Sequence, residues 1–335
     1  MTITDPSDLA DPNAERDHRH VESMTRSLGP DVLAALADDD VTEIYANPDG
    51  RLWLDTHSGG RRRAPFSLPA LRIEAFLNAA ASYLGAEPLD VSRPQLQAEL
   101  PPELFRGARL QGFVPPVTAA PAFNLRKLPA LIYTLDDLVR QGILSSRHRR
   151  TLAQAVRDRT NVLVAGGTGT GKTTFVNALL QEITTLCPAD RVVVLEDTAE
   201  LQCAAEDHLS LRTRAGLTLT DLVTATLRTS PDRIVVGEVR DGAALALLDA
   251  WGTGHPGGCT TLHASDTPGA LRRLDRLAQR NAVPSQLDLI AETIGLVVML
   301  EGGNLRRRVR EVVRVLGLTA EREPALETID PGDRP

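Results

Sequence analysis

The chain has 335 residues, of which 42% are apolar and only 3% aromatic, and its formal net charge is -7. That length allows two hydrophobic cores of ordinary size. The acidic balance and the shortage of aromatic platforms argue against a protein whose main work is coating nucleic acid, because that affinity comes from neutralised phosphates and stacked bases; no sequence-specific nucleic-acid binding is expected.

Residues 1–13, rich in Asp, Pro, Ser and Thr, read as a flexible start. A small α+β domain is predicted over 14–126. Val21, Met24, Leu28, Val32, Leu33 and Leu36 fall at helical spacing, with a break near Gly29 and Pro30. The run VTEIYANPDGRLWLD then alternates apolar and polar residues on both sides of Asn47-Pro48-Asp49-Gly50, a hairpin signal. Leu71, Ile73, Phe76, Leu77, Ala80 and Leu84 return to helical spacing, and RLQGFVPPV reads as short strands cut by prolines.

A linker is placed at 127–137, around Pro129. Beyond it, over 138–318, helices alternate with the apolar strands NVLVAG, RVVVLED and RIVVGEV. Continuous Val, Ile and Leu runs mark strands covered on both faces, so this domain is predicted as α/β, with a mainly parallel sheet and helices on either side. IGLVVMLEGGNLRRRVREVVRVLGL reads as two more strands across Gly302-Gly303-Asn304, and 319–335 as a flexible tail. Apolar runs such as Leu296 to Leu300 fall far short of the roughly 20 residues that span a bilayer, and the polar N-terminus has no signal-peptide core. Cys187, Cys203 and Cys259 lack the spacing of a disulfide framework or zinc ribbon. The expected location is cytoplasmic, at most peripheral to a membrane.

The chemistry is concentrated in the second domain. Gly166, Gly167, Thr168, Gly169, Thr170, Gly171, Lys172 and Thr173 match GxxxxGK(S/T) between the strand NVLVAG and the apolar helix that Thr174 continues. Backbone amides of such a loop turn inward around phosphate oxygens at a helix N-terminus. Lys172 is expected to bridge the β- and γ-phosphates of ATP and Thr173 to ligate Mg2+. RIVVGEVRD ends an apolar strand in Glu238, with Gly237 where many P-loop enzymes carry aspartate, so Glu238 is expected to take the Mg2+-organising role through water. RVVVLED brings Glu196 and Asp197, with Glu200 close behind, to the same edge; one of these carboxylates can act as general base. TGHPGGCTTLHA supplies His255 and His263 without ligand-spaced partners for zinc, and these read as polar sensors of phosphate or carboxylate, against a plain structural role.

GGTGTGKTT, LEDTAEL, LRTSPDRIVVGEVRD and TGHPGGCTTLHA, in this order and spacing from Gly166 to Ala264, resemble the Walker A, Asp, Walker B and His boxes of the traffic ATPases of bacterial secretion systems. VTEIYANPDGRLWLD and FRGARLQGFVPPVTAAPAFNLRK are similar to the branch that serves conjugal transfer. The resemblance implies a RecA-like ATPase domain and a hexameric motor of a conjugative type IV secretion system, powering pilus assembly or substrate transfer. It also implies contacts with inner-membrane and cytoplasmic components of that machinery. Arg109 and Arg126 fall in stretches that match arginines reaching toward the γ-phosphate, and Arg228 and Arg240 flank the Walker B strand, where they can link the site to a neighbouring domain or protomer. A pilus or type II-like traffic ATPase, a nucleic-acid-dependent translocase and a nucleotide-gated assembly protein are the alternatives. The basic runs Arg61 to Arg63, Arg147 to Arg150 and Arg306 to Arg308 read as solvated faces.

Overall fold

A computed structural model describes residues 12–128, 132–214, 216–303 and 306–330. Two compact units divide the chain, Met1–Ala130 and Leu131–Pro335. Residues 1–11 of the expected flexible start, 129–131 within the expected linker, Asn304 of the expected turn and 331–335 of the expected tail lie outside the described residues.

In the first unit, α1 (Pro12–Ala37) is two helical stretches joined at Gly29, whose φ of 77° and ψ of 173° make the break that the Gly-Pro pair announces. The expected hairpin is β1 (Val41–Ala46) paired antiparallel with β2 (Arg51–Thr56). Then follow β3 (Gly60–Ser67), α2 (Ala70–Tyr83), β4 (Gln95–Glu99), the single turn α3 (Pro102–Phe105), β5 (Arg109–Phe113) and β6 (Ala122–Arg126). The strands form an antiparallel sheet in the order β3-β2-β1-β6-β5-β4. One face packs its alternate residues, among them Ile44, Leu54, Leu110 and Leu125, into a core with Met24 and Leu28 of α1 and Phe76 and Leu77 of α2. The strands alternate as a half-buried sheet should, with the other face polar.

The second unit runs α4 (Leu135–Arg140), α5 (Ser146–Arg157), β7 (Asn161–Gly166), α6 (Lys172–Leu186), β8 (Val192–Glu196), β9 (His208–Arg212), α7 (Leu219–Thr226), β10 (Arg233–Val236), α8 (Ala243–Gly252), β11 (Cys259–His263), α9 (Thr267–Ala278), α10 (Leu287–Thr293), β12 (Ile294–Glu301), β13 (Arg308–Leu318) and β14 (Pro324–Ile329). The sheet order is β14-β13-β12-β7-β11-β10-β8-β9. From β12 to β9 the neighbours are parallel, and β13 and β14 close one end antiparallel. Period-2 alternation sorts each strand between two cores. Val162, Val164, Val192 and Val194 join α4, α5 and α6 on one side, whereas Leu163, Ala165, Val193 and Leu195 join α7, α8, α9 and α10 on the other. This accounts for the uninterrupted apolar strands: both faces are buried.

The expectation of a flexible tail over 319–335 is corrected for 324–329, which form β14 along β13. Two contacts from α5 fix its end. The buried His148 ring meets Ile329 O at 2.9 Å, and Arg147 lies 3.6 Å from Asp330. PALETI was passed over because its three apolar residues are weakly patterned and an edge strand needs only one buried face. Truncation after Leu318 should therefore lower the melting temperature by several degrees, on the order of 2–4 °C per kcal/mol lost in a unit of this size. An unchanged thermal scan would contradict this packing.

Candidate functional site

The phosphate-binding loop begins where β7 ends, at Gly166, and finishes where α6 begins, at Lys172. Gly169 (φ 75°) and Gly171 (φ 89°) adopt left-handed backbone, which lets successive amides turn to one side without a Cβ clash. Thr170 is buried and donates its hydroxyl to Gly167 O at 3.0 Å, pinning the turn. Lys172 is only 8% exposed, and its Nζ donates to Gly166 O at 3.1 Å and Gly167 O at 2.8 Å. A phosphate oxygen is a stronger partner than a carbonyl for that ammonium, so the same donors can be handed over to a nucleotide.

The facing wall comes from β11. Its parallel register with β7 sets His263 opposite Gly166, and Lys172 Nζ lies 3.3 Å from His263 Nδ1. An ammonium can only donate, so Nδ1 accepts and the ring proton sits on Nε2. Nε2 in turn faces Glu238 Oε1 at 3.4 Å. Burial, then the neighbouring Lys172 charge, hold the imidazole below its ordinary pKa and keep it neutral. Burial alone would raise the Glu238 carboxyl, but the Arg240 hydrogen bond at 2.7 Å and the charges of Arg240 and Lys172 outweigh it, so its pKa is lowered. Lys172, His263, Glu238 and Arg240 thus form one chain of contacts.

Glu196, at the end of β8, is 6% exposed and its Oε1 accepts the Glu200 and Leu201 amides, each at 2.9 Å. Burial nevertheless pushes its pKa up to about 7, against those two bonds. Its neighbour explains Gly237. A Cβ there would stand 3.1 Å from Glu196 Cγ and 3.3 Å from Oε1, so any larger residue at 237 would press against the Glu196 side chain. Two carboxylates of opposite character result: Glu238 ionised and Glu196 poised to gain or lose a proton near neutrality, the division that acid–base chemistry uses. Asp197 is exposed and accepts the Thr213 hydroxyl at 3.2 Å. Thr173, one residue into α6, donates to Glu200 Oε2 at 3.1 Å.

His255 does not join this cluster. It precedes β11 and its Nδ1 meets Pro231 O at 2.9 Å, ahead of β10, at the sheet edge opposite the loop. The expectation that it binds the cofactor is corrected: β11, five residues long, crosses the sheet between it and His263. Arg228 follows α7 near that same far edge and is exposed. Thr168 lies exposed at the loop tip and Thr174 on the first turn of α6. Arg109 and Arg126 belong to the first unit, where they are direct cross-strand partners on β5 and β6. The same row continues to Glu43 on β1 and Glu99 on β4, giving Glu43-Arg126-Arg109-Glu99 across the polar face. Glu43 is 3.7 Å from Arg126. Two like charges placed directly opposite are normally disfavoured, and the flanking carboxylates offset this. Glu200 follows Glu196 and Asp197 in the sequence and meets Thr173 in the fold. Its contact with Thr173 had no signal beyond its place four residues after Glu196.

Residues 108–301 match the family model described as type II/IV secretion system protein. The conjugal transfer protein TrbB of Rhizobium radiobacter is 42% identical over 299 residues, covering 89% of this chain and 91% of that protein. The type IV secretion system protein PtlH of Bordetella pertussis is 32% identical, with 85% and 93% covered. Among solved structures, the pilus retraction motor PilT with bound ADP aligns with a TM-score of 0.59 at 19% identity, over 89% of this chain and 81% of that one, which supports the fold.

The Glu196 environment carries a pH signature. A base must be ionised to act, so below a pKa of about 7 each further pH unit should cost close to tenfold in kcat/KM for ATP hydrolysis. Glu196→Gln should lose most turnover and flatten that acid limb. A wild-type profile level between pH 5.5 and 8 would remove Glu196 from the role of base.

Proposed function

Because the chain belongs to the type II/IV secretion system protein family, we propose that it is an ATP-hydrolysing motor of a conjugative type IV secretion apparatus, acting as a homohexamer with inner-membrane and cytoplasmic partners. The observation that carries the ATPase reading is the contact chain from Lys172 through His263 to Glu238 beneath a loop with phosphate-binding geometry. Lys172 holds the β- and γ-phosphates, and loop amides share their charge. Thr173 would supply the hydroxyl ligand for Mg2+, and its hard oxygen beside the Glu200 carboxylate suits that ion. Mg2+, when bound, neutralises charge on the phosphates. Glu196 takes the proton of the attacking water. Glu238 stays ionised, orders water around the metal side of the site, and is held in place by Arg240 and the His263 Nε2 proton. His263 senses through the same ring whether Lys172 is engaged with phosphate.

Arg109 and Arg126, adjacent on one rigid sheet, are proposed to approach the γ-phosphate when the motor assembles, stabilising charge on the transferring group. Membrane attachment, where it occurs, is proposed to be peripheral; no helix among the described residues is long and apolar enough to cross a bilayer.

Lys172→Ala should abolish binding of ATP or its turnover, while Glu238→Gln should bind ATP normally and hydrolyse it about 10- to 100-fold more slowly. Normal turnover in both variants, measured as phosphate release, would sink the assignment. Arg109→Ala and Arg126→Ala should each lower kcat by about tenfold or more with little change in ATP affinity. Unchanged kinetics would take both arginines out of the reaction.

A further inference from the structure

We propose that the groove between α5 and the strands β12 and β13, at the edge of the sheet away from the phosphate loop, is a separate anion site that takes a phosphate group through Arg147, Arg150 and Arg314. The site shares no residue with the nucleotide-binding reading above and stands or falls independently of it.

The basic run Arg147 to Arg150 reads in the sequence as a solvated face, but the fold divides it. Arg149 turns to Asp136 and Glu182, at 2.8 and 3.1 Å. Arg147 and Arg150 stand instead with Thr151 and Gln154 on one stripe of α5, and together they line a cavity of about 570 Å³. Arg314 enters the same cavity from β13, where it pairs with Leu296 of β12 and lies on the side of the sheet on which Val312 packs with α5. That volume is in the range of small-molecule sites, on the order of 300–1,000 Å³.

Three guanidinium groups thus converge on a chain whose net charge is -7. Among the described residues of the lining the one carboxylate is Asp158, and Gln154 Nε2 donates to it at 2.8 Å. Arg147 and Arg314 each hold a carboxylate outside the lining, Asp330 at 3.6 Å and Glu327 at 2.6 Å. A guanidinium has five N–H donors, so both keep donors for a second anion. Arg150 is exposed and has no acidic partner among the described residues. Its position in the helix sharpens the point. α5 opens Ser146-Arg147-His148-Arg149-Arg150 with no acid in its first turn, against the positive end of the helix dipole, where cations are disfavoured. Such a local conflict is the kind that a bound ligand resolves, and an anion in the groove removes it. Phosphate suits the place, because a planar guanidinium fork pairs two of its oxygens at once and Thr151 and Gln154 can add neutral donors.

The test is binding of inorganic pyrophosphate, by isothermal titration calorimetry, to full-length protein carrying Lys172→Ala, which takes the phosphate loop out of the measurement. Arg150→Gln and Arg157→Gln are added to that protein singly; Arg157 is exposed on the same helix but outside the cavity. Pyrophosphate should bind the parent, Arg150→Gln should weaken it by about tenfold or more, and Arg157→Gln should leave it unchanged although it removes the same charge. No binding to the parent, or an equal loss from Arg157→Gln, overturns the site. Sedimentation of the same proteins with vesicles of equal parts phosphatidylglycerol and phosphatidylcholine then identifies the source of the phosphate. Sedimentation lost in Arg150→Gln and kept in Arg157→Gln assigns it to a lipid headgroup, and pyrophosphate binding without sedimentation that depends on Arg150 assigns it to a soluble phosphate compound.

Discussion

The register of β11 against β7 is the constraint on which the site depends. Parallel strands point their carboxyl ends to one edge, and in this sheet the ends of β7, β8, β10 and β11 are followed by the phosphate loop, Glu196, Glu238 and His263. With His263 paired to Gly166, the ring lands beside Lys172; a slip of one residue would turn it to the opposite face of the sheet. The register is in turn enforced by burial. Cys259, Thr260, Thr261 and Leu262 are buried on both faces of the strand, so a shift would force closely packed side chains of different size into each other's places.

The two edges of this sheet use polar groups differently. At the amino edge, Arg233 is 1% exposed and satisfied within the fold: Asp190 accepts from its Nε at 2.6 Å, and Gly257 O and Val156 O take further bonds at 3.0 and 2.9 Å. A buried cation with every contact inside the protein rigidifies and does not invite a ligand. At the carboxyl edge, Lys172 is bound by carbonyls and an imidazole, Glu238 is partly exposed, and Glu196 carries a raised pKa. In the proposed reading, a nucleotide phosphate takes over the contacts that Lys172 now makes with Gly166 O and Gly167 O. Gly237 packs closely there, since a Cβ at that position would stand 3.1 Å from Glu196 Cγ.

Much of this was legible in the chain. Continuous Val, Ile and Leu marked β7, β8 and β10 because their environment is apolar on both faces, and the loop glycines stood at fixed offsets. β14 was missed because an edge strand carries only a faint pattern, and β9 for the same reason, its residues alternating between exposed and half-buried. His255 and His263 looked equivalent in TGHPGGCTTLHA; only the direction of β11 sends one to each edge. The contact of Glu200 with Thr173 depends on Asn177 holding a turn from a helix 23 residues earlier, which no local pattern encodes. Arg109 and Arg126, 17 positions apart in sequence, become neighbours only through the β5–β6 register.

The central claim is that this chain is an assembling ATPase that does not need nucleic acid to turn over. Steady-state ATP hydrolysis measured against protein concentration, with particle mass followed by light scattering and with single-stranded DNA present or absent, tests it most directly. The account predicts turnover that rises as a ring of about six subunits forms, independent of DNA. Turnover by a monomer that appears only when DNA is added would contradict it.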